Sequence, residues 1–270
     1  MKKIYKLMVA CLMGLTLTNC NDFLDYNPTA VIDEDKAFSE PEKMVNAVYA
    51  MLGDCWFSYP FNLFPYGDIT SDDCLKGGSG TTDTGYHPFE IWSTLTATTP
   101  GEMDELWYRL YCAVSRCNRA LVSLERNGVA KLGSDISEQR IAEVKFLRAH
   151  FYYKLLTVFR QVPWIDEVAY LNNSIEQIPN DEFSYEGLFG KVIADFETAY
   201  NVLPEKQSDG GRVNKIAAAA YLAKCYLGLA WGDGYEATTG VNHINEEYMR
   251  KVVIYTDEVA NSDYDYLEDF

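Results

Sequence analysis

Asp68, Asp72 and Asp73 crowd one short run, Gly67-Asp68-Ile69-Thr70-Ser71-Asp72-Asp73. Carboxylates this close suit a hard cation or, as a pair, the acid and base of glycoside hydrolysis. Neither the spacing of a known calcium loop nor a paired-acid context accompanies them. A run of Gly, Asp, Thr and Ser also builds turns and helix caps, and that is the preferred reading. Histidine is scarce: His87, His150 and His243 are the full set, none in an HExxH or HxxxH frame. His150 falls in mid-helix, in Leu147-Arg148-Ala149-His150-Phe151, and reads as structural. No GxSxG elbow, Walker loop or dinucleotide fingerprint is present, and Gly77-Gly78-Ser79-Gly80 lacks the strand, helix and lysine of a phosphate loop. Beyond Cys11 and Cys20, the thiols Cys55, Cys74, Cys112, Cys117 and Cys225 show no repeated CxxC spacing, so buried free thiols are expected rather than disulfides or zinc. Neither a catalytic residue, a cofactor nor a metal is expected.

The aromatic residues make a better lead. Between Gly53 and Gly101 no helical period persists, and Gly, Pro, Ser and Thr alternate with Trp56, Phe57, Tyr59, Phe61, Phe64, Tyr66, Tyr86, Phe89 and Trp92. Long irregular stretches inside a compact domain are functional or disordered, and so many aromatics argue against disorder. Aromatic faces stack on the apolar faces of sugar rings while neighbouring polar groups bind hydroxyls, the mixture that binding sites use. Asp83, Tyr86, His87 and Trp92, with Thr84, supply that mixture, and are the candidate ligand-binding residues. The competing reading is that these rings only staple the loop to the core.

The positioning elements are helices. Ser39-Glu40-Pro41-Glu42 has the form of a capping box, and Met44, Val45, Val48, Tyr49 and Leu52 follow at helical spacing. Leu106, Leu110, Val114, Cys117, Leu121 and Leu124 predict a helix over 102–126 that Gly128 ends. Ile141, Val144, Leu147, Phe151, Leu155 and Val158 predict another over 136–159, closed by Pro163. Three further helices start near Ser184, Asn214 and Asn245, carrying Leu188/Val192/Phe196/Leu203, Ile216/Ala220/Ala223/Leu227 and Tyr248/Val252/Tyr255/Val259. Starts about 30 residues apart, with Ala-rich faces, suit a tetratricopeptide-like array of helix hairpins. The fold class is therefore mainly α, with a long irregular aromatic-rich loop region.

The N-terminus supplies an address. Lys2, Lys3 and Lys6 precede the apolar run Leu7–Leu17, too short to span a bilayer, and Leu17-Thr18-Asn19 leads into Cys20. This predicts a lipoprotein signal over residues 1–19, with Cys20 acylated as the first residue of the mature chain over 20–270. Ordinary secretion, with Cys20 a plain thiol, is the alternative, because Asn19 is larger than the usual Gly, Ala or Ser. Removing Lys2, Lys3 and Lys6 takes 23 basic and 40 acidic residues to 20 and 40, a formal charge of −20. So acidic a chain repels phosphate backbones and anionic headgroups, which disfavours nucleic-acid and lipid-surface binding.

These stretches together resemble the N-terminal portion of SusD/RagB-family outer-membrane lipoproteins. The resemblance rests on Cys20-Asn21-Asp22-Phe23-Leu24-Asp25 with Pro28, Gly67-Asp68 with Asp72-Asp73, and Trp107, Leu110-Tyr111 and Cys117-Asn118-Arg119-Ala120. It continues in Ala142-Glu143-Val144-Lys145-Phe146-Leu147-Arg148-Ala149 with Tyr152-Tyr153 and Val162-Pro163. Gly211-Arg212-Val213-Asn214-Lys215 and Leu222-Ala223-Lys224-Cys225-Tyr226-Leu227 complete the series in the family's order. Arg160-Gln161 stands where a glycine-containing turn is common, and family members run well past Phe270, so a truncated portion is expected. The resemblance implies a non-catalytic oligosaccharide-binding protein, lipid-anchored at the outer membrane and facing the exterior, that delivers nutrient to a SusC-like TonB-dependent transporter. It also implies that Phe146, Leu147 and Arg148 are scaffold. The alternative is a protein–protein scaffold or lid of the transporter with no ligand contact in this half.

Overall fold

The computed structural model describes residues 34–53, 66–71, 73–78, 86–92, 102–172, 175–232 and 244–264. The chain divides into two units, Met1–Ala37 and Phe38–Phe270. Of the first, the described residues are the start of a short helix, α1 (Glu34–Phe38). The signal residues and Cys20 lie outside the described residues.

The second unit is helical, with no strand among the described residues. Its elements are α2 (Pro41–Gly53), α3 (His87–Glu90), α4 (Glu102–Leu132), α5 (Ser134–Phe159), α6 (Glu167–Leu171), α7 (Tyr185–Val202), α8 (Lys215–Gly232) and α9 (Glu246–Ala260). The long helices pack in chain order, α2 on α4, α4 on α5, α5 on α7, α7 on α8 and α8 on α9, as a hairpin array requires. No described helix is long and apolar enough to cross a membrane.

Helix starts follow the capping chemistry. Ser184 Oγ accepts from Gly187 N at 3.1 Å, Asn214 Oδ1 from Ala217 N at 2.9 Å, and Asn245 Oδ1 from Tyr248 N at 3.1 Å. Proline occupies the first position of α2, where its missing N–H costs nothing, and Glu40 O accepts from Met44 N at 3.2 Å. Glu42 turns outward, where Arg140 Nε donates to it at 2.8 Å. Helix α4 departs from expectation, running through Gly128 to Leu132. A side chain at Gly128 would collide with Ser137 Oγ, so this glycine permits α5 to approach. Gly133, at φ +83°, makes the break between the two helices.

Helix α5 is the centre of the array. The spacing predicts one apolar side, yet Ala142, Phe146, Ala149, Tyr152 and Leu156 are buried as well as Val144, Leu147, Phe151 and Leu155. It touches α2, α4, α7 and α8 and keeps little surface for water. Its polar residues Glu143 and Arg148 are accordingly buried, and each is compensated. Arg148 donates from Nε and Nη2 to Asp195 of α7 at 2.7 and 3.0 Å, and from Nη1 to Asn118 of α4 at 3.1 Å and to Glu167 of α6. Burial would lower the Arg148 pKa, but the two carboxylates outweigh it and keep the guanidinium charged. Glu143 accepts from Arg140 at 2.7 Å, Tyr49 at 2.9 Å, Gln207 at 3.0 Å and Arg212 at 2.9 Å. Arg212 Nη2 also donates to Glu42 at 2.6 Å.

Beyond α5 the faces are aromatic and small. Leu188, Val192, Phe196 and Leu203 are buried as their spacing predicts. On α8 the buried set is Ile216, Ala218, Ala219, Leu222, Ala223, Cys225, Tyr226, Leu229 and Ala230, whereas Leu227 is exposed. Of the expected stripe, Ile216 and Ala223 are buried, Ala220 is half-buried and Leu227 is exposed, because alanine on several sides broadens the packed face. Helix α9 buries no residue fully and rests on α8 through Tyr255, stacked 5.9 Å from Tyr226. Among the described thiols, Cys117 and Cys225 are buried, Cys74 and Cys112 half-buried, and all are free.

Arg148→Met should cost about 3–5 kcal/mol, because Asp195 is left buried and unpaired. Arg148→Met with Asp195→Leu should recover part of that loss in chemical denaturation. Arg160 sits at φ +59°, ψ −61°, with Gln161 N donating to Phe159 O at 2.6 Å, a γ-turn of the rare strained hand. Arg160→Gly should raise stability by about 1 kcal/mol despite loss of the stacking of Arg160 on Tyr185. Burial, with Lys154 and Lys224 nearby, holds the His150 imidazole down at about 3. An unfolded histidine titrates near 6.5, so this stability is fully present above about pH 6.5 and is lost as pH falls towards 3. His150→Gln, which keeps a partner for Tyr221 Oη, should flatten the pH dependence of the melting temperature between pH 6.5 and 5.

Candidate functional site

Tyr66 anchors the described loop residues. It packs against the helical core, and its ring meets Phe89 edge-on at 5.2 Å, with Phe89 and Ile69 both buried. Between them the chain forms tight turns. Ser71 N donates to Gly67 O at 3.0 Å, Thr70 Oγ1 to Tyr66 O at 2.9 Å and Cys74 N to Asp68 O at 3.3 Å. Gly77 and Gly78, both near φ +75°, continue the run where a side chain would be strained. Asp68 and Asp73 point their carboxylates to solvent, so here the acidic run is a turn, as its composition suggests. Asp72 lies outside the described residues. Among those described, no three His, Cys, Asp or Glu residues are placed to hold a metal ion.

The rings divide into two roles. Tyr66 and Phe89 staple the loop. Trp92 does not: it is 76 % exposed and makes no ring contact or hydrogen bond among the described residues. Its backbone is at φ +50°, a conformation that costs a bulky residue on the order of 1 kcal/mol or more and tends to occur at functional positions. His87 opens α3, half-exposed, with Nδ1 3.4 Å from Glu90 Oε2, and Tyr86 caps the same turn. Tyr86, His87 and Trp92 thus come together on one turn, while Asp83 and Thr84 lie outside the described residues. Partial burial and then the charges of Asp68, Asp73 and Glu90 push the Cys74 thiol up, which puts an acidic rim beside this turn. The arrangement offers an exposed indole face with carboxylate and imidazole groups around it. Such a combination suits contact with a ring bearing hydroxyls.

A second concavity escaped the sequence reading. Trp107, Tyr111, Ser115 and Asn118 form one stripe of α4 and line a cavity of about 330 Å³ against Pro163, Ile165 and α6. The signal was an aromatic pair four residues apart on a helix already carrying a separate leucine face.

A family model described as starch-binding and associating with the outer membrane matches residues 22–227. A SusD-like protein P2 of Formosa agariphila is 28 % identical over 236 residues, covering 84 % of this chain and 43 % of that protein. A SusD-like protein of Bacteroides ovatus is 25 % identical over 253 residues, covering 92 % and 44 %. Among solved structures, a SusD-like protein from Bacteroides fragilis superposes with a TM-score of 0.66 at 21 % identity, over 90 % of this chain and 42 % of that one. Surface glycan-binding protein A from Bacteroides thetaiotaomicron, solved with laminarihexaose, gives 0.63 at 22 % identity, over 86 % and 44 %. At these identities the structures establish the shared fold, and the chain spans less than half the length of its relatives. The helical array and the match over residues 22–227 agree: the chain belongs to the SusD-like family, starch-binding and associating with the outer membrane.

Proposed function

We propose that this chain is the N-terminal helical portion of an oligosaccharide-binding lipoprotein, held at the outer membrane and facing the exterior, that hands its ligand to a SusC-like TonB-dependent transporter. Residues 1–19 are its export signal, and Cys20 bears the acyl chains. Two acyl chains are the number that stable anchoring needs. The observation that carries the binding reading is Trp92, an indole left in solvent on strained backbone beside His87 and an acidic rim. A pyranose has an apolar C–H face that such a ring covers, and the rim supplies acceptors for its hydroxyls. Relatives whose names include laminarin binding and laminarihexaose support an oligosaccharide as ligand. The family is described by binding rather than by a reaction, which supports delivery without chemistry.

A scaffold role is the second reading. It is favoured by the outward face of α9, where Val253 and Ile254 are 51 % and 61 % exposed. In that case the array grips the transporter and this half touches no ligand.

Trp92→Ala should weaken retention in an affinity gel containing laminarin or starch by about ten-fold, with the melting temperature unchanged. Unaltered retention, with co-purification of the transporter, favours the scaffold. Cys20→Ala should move the protein from the membrane fraction to the soluble fraction in cell fractionation.

A further inference from the structure

The cavity beneath α6 has a chemistry unlike that of the Trp92 turn. Its floor is Trp107, Tyr111 and Val114 of α4, and Pro163, Ile165 and Tyr170 face them. At about 330 Å³ it lies at the small end of ligand pockets and has room for one ring-sized group rather than a chain of sugars. Its walls are fixed. The Trp107 ring lies 4.8 Å from Tyr111 and edge-on to Phe159 at 5.1 Å. Tyr111 Oη donates to Pro163 O at 2.8 Å, and Asn118 Nδ2 to Ile165 O at 2.9 Å. Arg148 holds both Asn118 and Glu167, so the wall formed by the 163–171 segment is pinned from behind.

Those bonds occupy the Tyr111 hydroxyl and the Asn118 amide N–H. The Ser115 hydroxyl, also in the lining, makes no hydrogen bond among the described residues. Arg119 follows Ser115 by one helical turn on the same flank of α4, and a helical side chain leans back over the turn before it. Arg119 Nε is buried with no hydrogen-bond partner, and no ion pair engages this guanidinium among the described residues. That is unusual in a chain with 40 acidic residues. A buried guanidinium edge without an acceptor is costly, and a carboxylate supplies two acceptors in matching geometry.

We propose that this cavity is a second binding site, independent of the Trp92 turn, for a small aromatic carboxylic acid. The ring lies on Trp107 and Tyr111, and the carboxylate reaches past Ser115 to Arg119. The apolar walls admit the ring, and the Arg119 guanidinium, one helical turn beyond Ser115, selects the acid over a neutral analogue.

The test uses the full chain with 4-hydroxycinnamate as probe, followed by calorimetry and by tryptophan fluorescence. The acid should bind with a Kd below about 1 mM, and the neutral 4-hydroxycinnamyl alcohol at least about ten-fold more weakly. Ser115→Phe, which fills the cavity from a half-exposed position, should abolish binding with the melting temperature unchanged. Arg119→Gln should remove the preference for acid over alcohol, and Trp92→Ala should change neither. Failure of the wild-type chain to bind the acid overturns the proposal, as does undiminished binding by Ser115→Phe or equal affinity for acid and alcohol. Loss of laminarihexaose binding in Ser115→Phe would make the cavity a sugar site and overturn it as well.

Discussion

The placement of charge inside α5 is the constraint on which the other elements depend. A helix contacted by α2, α4, α7 and α8 keeps little surface on which a polar residue can stay in water. Glu143 and Arg148 are nevertheless there, at 0 % and 4 % exposure. An unpaired charge at either position would cost several kcal/mol, so each surrounding element must deliver a partner at a fixed place. Asp195 fixes the register of α7, Asn118 that of α4, and Glu167 draws in the short α6. Van der Waals packing of leucine on leucine tolerates sliding by a fraction of a turn. A bidentate carboxylate–guanidinium pair tolerates far less, so the ion pairs specify an arrangement that apolar burial alone leaves loose.

Much of this was legible in the residues. Leucine and valine at helical spacing located α2, α4, α5 and α7, and Ser184 and Asn245 marked helix starts that the side chains do cap. Two readings, of Gly128 and of Leu227 on α8, went astray for physical reasons. Gly128 looked like a helix end, because a glycine's role in close packing depends on a neighbour, Ser137, that no local pattern reveals. Alanine on all sides of α8 gave no unique apolar face. Helix α6 is too short for any period to show, and only the side chain of Asp166, accepting from Val168 N and Ala169 N, marks it.

For the candidate site, the residues pointed to a region and not to single side chains. Aromatic density singled out the loop, but composition does not separate a ring that anchors from one that waits. That separation came from burial: Phe89 is covered and Trp92, three residues on, is not. Asp83 has no such evidence attached to it. The cavity of α4 was hidden by a different mechanism, since Trp107 and Tyr111 lie beside the leucine stripe and read as its margin. Both sites depend on the same scaffold. Tyr66 seats the loop on the core, and Arg148 braces the wall opposite Trp107 through Asn118 and Glu167.

The contact from Arg212 to Glu42 joins residues 170 positions apart, from the turn before α8 back to α2. In an open helical repeat each unit touches only its neighbours, so loss of structure can creep inward from an end. Here α2 is stitched to the turn before α8 through Glu42, Arg212 and Glu143, and the path of contacts closes on itself. An array closed in this way resists fraying: α2 cannot peel off without exposing the Glu143 carboxylate, and α8 cannot leave without taking Arg212. Its melting should therefore be a single concerted event rather than a stepwise unzipping, which makes the array a stiff frame in place of a spring.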